Sequence, residues 1–220
     1  MSKAPGLGKA GRKKLAERWH RLMNSLGVAE EAAWSVLEDL RRRYNEAHRA
    51  YHNQAHLEAL FSRLESYAVP ERPAVELAVW FHDAVYDPTR TDNEERSAEL
   101  ARTQLRGLGL EEALGSRVRD LILATKTHQA ADPATAWLLD ADLAILGAEP
   151  EAYTAYAEAI RLEYAWMPEE LYCRGRARVL TSFLERPQIY RTEPFRERFE
   201  AQARQNLAEE LAACRKQRVR

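Results

Sequence analysis

Cysteine, glycine, proline and net charge are all scarce in this chain, and each shortage removes a class of protein. Cys173 and Cys214 are the only cysteines. They lack the close spacing of a thiolate zinc knot or a redox pair, and a reducing compartment suits them. Lysine and arginine number 33 against 34 aspartate and glutamate. The field of the whole molecule therefore favours neither nucleic acid nor an anionic membrane. No run of 18 apolar residues occurs, so no membrane span is expected. The basic opening "MSKAPGLGKAGRKK" leads into "LAERWHRLM", without the apolar core and small-residue cleavage site of a secretory signal. A cytoplasmic protein is expected. Asn-Gly and Asp-Gly turns between alternating apolar and polar residues are missing, which argues against hairpins and sheets.

What the chain does contain is helical periodicity. With 220 residues, 45% of them hydrophobic and 30% charged, it can bury one sizeable core. A single domain over 1–220 is expected, with 1–10 and 215–220 as flexible ends. Apolar residues recur at helical spacing over about 9–25, 29–44, 53–68, 72–85, 92–107, 110–127, 136–146, 149–164, 168–185 and 194–214, and the reading is an all-α bundle. Gly27 closes the first helix, Pro73 suits a helix start, and Asp132-Pro133 marks a turn. Thr91 or Asp92 can cap the helix that follows "YDPTRTDNEE".

Two stretches place histidine among core residues. In "AYHNQAHLEALF", Leu57, Leu60, Phe61 and Leu64 share one helix face, so His56 lies one turn beyond His52 and both can look into one cleft. In "LAVWFHDAVYDP" a strongly apolar helix runs into His82-Asp83, and a carboxylate at the end of a buried helix needs a partner. Taken singly these are ordinary structural histidines; together they point to a divalent cation, which would offset the desolvation of Asp83 and accept a neutral imidazole. In "WLLDADLAILG" two acids interrupt core. Asp140 and Asp142 point roughly 200° apart on a helix, so one of them serves such a site and the other caps or pairs elsewhere; Asp142 is the preferred ligand. His56, His82, Asp83 and Asp142 form a nitrogen and oxygen donor set between central helices. It suits manganese, iron, cobalt, nickel, magnesium or zinc, one ion or two, with positions open for water and substrate.

The order and spacing of these residues resemble the H...HD...D signature of the HD-domain metal-dependent phosphohydrolases. "YHNQAHL" also resembles the HNxxH motif of cyclic-nucleotide phosphodiesterases. The closer likeness is to a group of small bacterial predicted HD-superfamily phosphohydrolases, through "RAYHNQAHL", "FHDAVYDPTRTDNEERSA", "LDADLAILG" and "ARQNLAEEL", over roughly residues 18–212. The resemblance implies an HD-type helical domain and a metal-activated water attacking a phosphoester or phosphoanhydride of a small molecule, most plausibly a nucleotide. By position it makes His56 a ligand, Asp83 both ligand and orienter of the water, and His52 the proton donor to the departing oxygen. A cationic His52 needs a carboxylate near it, for which Glu94 or Glu95 is the candidate. His128 lies between the doublet and Asp142, as intervening histidines do in two-metal HD proteins. Arg49, Lys126 and Arg161 or Arg174 remain cationic and could hold phosphate. Asn53, Tyr86, Asn93, Glu94 and Ser97 are candidates for the surroundings of substrate and ligands. Two other readings are an HD-fold di-iron oxygenase and a non-catalytic nucleotide-sensing protein. No membrane or nucleic-acid partner is expected, and self-association into a homo-oligomer stays open.

Overall fold

A computed structural model describes residues 7–217. Among them there are ten α-helices, one 3-10 turn and no strand. The expected all-α architecture is what the chain adopts. No helix among the described residues is long and apolar enough to cross a membrane. Of the ends expected to be flexible, 1–6 and 218–220 lie outside the described residues; Lys9 opens the first helix and Gln217 closes the last. The chain divides between Leu138 and Leu139 into two compact units.

The first unit holds α1 (Lys9–Ser25), α2 (Glu30–Tyr44), α3 (Gln54–Leu64), α4 (Arg72–Phe81), α5 (Asn93–Gly107) and α6 (Glu112–Thr127). α4 is its centre. From Ala74 to Phe81 every residue except Glu76 is buried, which is how a helix reads when it has neighbours on all sides. α3, α5 and α6 pack against it, and α1 and α2 pair beside α3. Aromatic rings fill the α1–α3–α4 junction. Trp19 meets Trp80 edge-on at 5.2 Å between ring centroids, and Phe61 lies 5.2 Å from Trp80. Trp19 can be fully buried because its Nε1–H donates to the Ala33 carbonyl at 2.7 Å.

Helix ends follow local chemistry. Gly27 and Gly109 adopt φ of 72° and 74°. Each allows the amide of the following residue to reach back, Val28 to the Met23 carbonyl and Leu110 to the Leu105 carbonyl, the Schellman arrangement. Two helices stop earlier than periodicity predicts. α3 ends at Leu64, not 68, where the Arg72 guanidinium takes the Leu64 and Tyr67 carbonyls. α4 ends at Phe81, not 85, where the Tyr44 hydroxyl donates to the Trp80 carbonyl and the His82 ring to the Val79 carbonyl. Once side chains satisfy the terminal carbonyls, further helical turns gain no backbone bonding.

α7 (Pro133–Leu143) contains the division between the units. It starts three residues before the expected position. Asp132 is its cap, accepting from the Thr135 amide at 2.9 Å and hydroxyl at 2.7 Å, with Pro133 in the first turn. Residues 144–146, expected to continue the helix, form a 3-10 turn with Gly147.

The second unit comprises that turn with α8 (Pro150–Glu163), α9 (Glu169–Leu184) and α10 (Glu193–Gln217). α10 runs along α9 and the 3-10 turn. At Gly147 a Cβ would stand 2.5 Å from the Phe199 carbonyl oxygen, so only glycine permits that backbone approach. Asp140 anchors the start of α10. It accepts from the Arg191 amide at 2.9 Å, the Thr192 amide at 2.6 Å and the Thr192 hydroxyl at 2.7 Å. A second polar group, Glu210, accepts from Arg176 Nε and Nη2 and from the Tyr153 hydroxyl across α8, α9 and α10.

Candidate metal centre

The centre is assembled at the end of α4. His82 is the residue that ends the helix and Asp83 the first beyond it, while His56 stands in the first turn of α3. His56 and His82 are buried, and the Asp83 side chain retains 19% exposure. His56 Nε2 lies 3.1 Å from His82 Nε2 and 3.6 Å from Asp83 Oδ2, and His82 Nε2 lies 3.0 Å from the same oxygen. The three residues form a group that could hold a metal ion.

The ring chemistry sharpens this geometry. His82 Nδ1 lies 3.0 Å from the Val79 carbonyl, which can only accept, so Nδ1 carries hydrogen. In the neutral ring Nε2 then presents its lone pair to the other two atoms. Two imidazole nitrogens and a carboxylate oxygen so converged can share a ring proton, and they could equally hold one metal ion. Bonds of roughly 2.0–2.2 Å set about 90–110° apart put donors of one ion roughly 2.8–3.6 Å from each other, and the observed separations of 3.0, 3.1 and 3.6 Å fall within that spacing. The Nδ1 bond to a main-chain carbonyl is the outer contact that orients a ligating histidine.

Burial pushes the Asp83 carboxyl up, but His82, His52 and His56 pull it down by more, leaving it well below the ordinary carboxylate range. It stays anionic. Tyr51, His52 and Tyr86 wall the group. The Tyr51 ring lies 4.9 Å from that of His56, and the His52 ring 4.3 Å from that of Tyr86 and 5.8 Å from that of His56. All three are half-buried. Tyr51 went unremarked in the sequence, although it stands next to His52; ring contact across a turn has no residue-type signature.

His52 lies before the helix rather than in it. Asn53 is the cap of α3, its Oδ1 accepting from the Ala55 amide at 2.8 Å while Nδ2 donates to the Ala50 carbonyl at 2.9 Å. Asp83 acts electrostatically with His52. Glu95 is bonded to Lys126, and Glu94 sits half-buried in the first turn of α5.

Asn93 and Ser97 hold the loop that follows the doublet. Asn93 accepts from the Asp87 amide at 3.0 Å and donates to the Asp87 carbonyl at 2.9 Å. Ser97, fully buried, accepts from the Val85 amide at 3.0 Å and donates to the Val85 carbonyl at 3.2 Å. The Tyr86 carbonyl is bonded by His48 Nε2 at 2.9 Å. Side chains thus replace the helical bonding of 85–87.

The basic residues named for phosphate are engaged by this chain's own acceptors. Arg49 is buried, its guanidinium spread over the His52, Asp83 and Ala84 carbonyls and the Glu46 carboxylate. Lys126 donates to the Thr91 carbonyl at 2.7 Å and to Glu95. Arg161, in the second unit, bonds Glu169 and the Tyr164 and Met167 carbonyls. Carbonyls left over at helix ends draw such donors. Arg174 lines an open groove on α9 with Arg178 and Arg215. His128 ends α6 with φ of 51°, half-buried. Asp142 is half-buried on the part of α7 that belongs to the second unit, whereas the His56–His82–Asp83 group is drawn wholly from the first. No family model, curated protein or solved structure matches this chain.

Proposed function

We propose that this chain is a metal-dependent phosphohydrolase of the HD type, cleaving a phosphoester or phosphoanhydride of a small molecule, most plausibly a nucleotide. The observation that carries the reading is the convergence of His56 Nε2, His82 Nε2 and Asp83 Oδ2 at the spacing of ligands to one ion. The borderline nitrogen and oxygen donors suit manganese, iron, cobalt, nickel or zinc, with magnesium the hard-ion limit. The order of the motif blocks, from "RAYHNQAHL" to "LDADLAILG", supports the family.

A divalent ion there would supply Lewis acidity toward a phosphoryl oxygen and lower the pKa of a water to near neutrality. The chain's own groups do the rest. Asp83 remains ionised among imidazoles and can accept a hydrogen bond from the attacking water while holding the ion. His52, outside the closest cluster but electrostatically coupled to Asp83, donates a ring proton to the departing oxygen, a step typically worth about 10²–10⁴ in rate. Tyr51 and Tyr86 restrict water around that proton and offer a flat apolar wall to a planar base.

The test is turnover by protein stripped with chelator and reloaded with one metal at a time, on bis-p-nitrophenyl phosphate and on nucleoside mono-, di-, tri- and cyclic phosphates. Phosphate-bond cleavage that chelator abolishes and one or more metals restore is expected. Full activity in the stripped protein overturns the reading. Tight nucleotide binding without cleavage across all metals would replace it with a sensing role. Two irons per chain with oxygen uptake would replace it with oxygenase chemistry.

A further inference from the structure

Arg49 is the least expected feature of the first unit: a guanidinium with 0% side-chain exposure, placed among main-chain oxygens. Nη1 donates to both the His52 carbonyl at 3.1 Å and the Asp83 carbonyl at 2.6 Å. Nη2 donates to the Ala84 carbonyl at 3.2 Å, and Nε to Glu46 Oε2 at 3.0 Å. The guanidinium carbon also lies over two rings, 5.1 Å from the Tyr44 centroid and 5.5 Å from that of Tyr86.

Burying a guanidinium is costly, and satisfying its donors reduces that cost. The choice of acceptors is what carries meaning. His52 immediately precedes the Asn53 cap of α3, whose first turn carries His56. Asp83 and Ala84 immediately follow His82 at the end of α4. One nitrogen therefore spans the two chain segments that supply the ligands. The donor atoms of the group come from those same segments, and their 3.0–3.6 Å separations must hold within a few tenths of an ångström to suit one ion.

We infer that Arg49 is a positioning residue for the metal centre, setting the distance between the start of α3 and the end of α4. The inference rests on the metal-centre reading above. Lysine cannot substitute, because an ammonium lacks the planar fork that serves several carbonyls at once. Outer contacts of this kind typically change metal affinity about 10–100-fold.

The experiment measures cobalt(II) binding by its visible absorption in wild type, Arg49→Lys and, as a matched control, Gly147→Ala, each at a temperature where circular dichroism shows it folded. Gly147 lies against Phe199 in the second unit, so its variant lowers stability without touching the Arg49 contacts. Arg49→Lys is expected to bind cobalt about 10–100-fold more weakly, with an altered absorption band, while Gly147→Ala binds as wild type does. Wild-type affinity and spectrum in Arg49→Lys overturn the inference and leave the metal centre standing. Equal weakening in Gly147→Ala also overturns it, since general instability would then suffice. Should Arg49→Lys not fold, Glu46→Ala decides: it frees Nε and also the His48 ring 3.7 Å from that carboxylate, about threefold weakening is expected, and unchanged affinity overturns the inference. Absence of cobalt binding in wild type sinks the metal-centre reading itself.

Discussion

Asp83 in the first unit and Asp140 in the second are both acids at the edge of apolar helices, yet their surroundings are opposite. Asp140 is 1% exposed and accepts from two backbone amides and one hydroxyl at the start of α10. Every partner is a fixed donor. Asp83 faces the Nε2 atoms of His82 and His56, which meet it as donors when the rings are protonated and as lone pairs when the Nδ1–H tautomer is neutral. The electrostatics differ too. Desolvation raises the Asp140 carboxyl despite its hydrogen bonds. At Asp83 burial also raises, but the imidazoles outweigh it and hold the carboxyl low. A carboxylate whose lone pairs meet fixed backbone donors completes a fold; one set among titratable imidazoles can exchange their protons for a metal ion.

The comparison can be broken at several strengths. Asp83→Asn should have the largest effect, removing metal-dependent turnover by more than about 10³-fold, since both ligand charge and water orientation go. Its unfolding free energy should fall by less than that of an Asp140 variant, because the imidazoles beside Asp83 can release their protons whereas the amides facing Asp140 cannot. Calorimetric metal titration beside denaturant melts checks both halves. Loss of stability equal to that of an Asp140 variant would make the two acids alike.

Asp140→Ala should come next. It leaves the part-buried amides of Arg191 and Thr192 unsatisfied, at up to about 1–3 kcal/mol for each such group, for a total of up to about 2–6 kcal/mol in denaturant unfolding. A loss below about 1 kcal/mol would show that water replaces the carboxylate there.

Asp132 gives the smallest effect and sharpens the contrast through pH. Its hydrogen bond from Arg117 and its Thr135 contacts hold the carboxyl at about 2, below the ordinary 3.8. A depressed folded-state value contributes stability that is full above the unfolded value and lost as pH falls through the folded one. Wild type should therefore lose this contribution between about pH 4 and pH 2, and Asp132→Ala should flatten that limb in urea melts. As a lost helix cap the substitution costs about 1 kcal/mol at neutral pH. An unaltered acid limb would assign the loss to other groups.

Much of this was readable from residue order. Helical spacing placed all ten helices, and Gly27, Pro73 and Asp132-Pro133 punctuated them correctly, because periodicity and caps are local properties. The grouping of His56 with His82-Asp83 was also legible, since one apolar face carries each histidine toward the same core. The early end of α4 was not. Val85 continues an apolar pattern, and the helix stops because Tyr44 and the His82 ring take its terminal carbonyls. Arg49 was read as a phosphate ligand because its charge is visible in sequence and its acceptors are not. They are main-chain carbonyls, which every residue carries.

Residue types and their spacing were thus enough to determine the helices, the core faces and the three donors that converge at the end of α4. Tertiary structure alone decided that Asp140 anchors α10, that Arg49 is buried between the segments bearing the ligands, and that His82 turns Nε2 toward His56. The physical reason is that pattern encodes which face of a helix avoids water, whereas hydrogen bonds to backbone groups depend on distances between segments that no local pattern records.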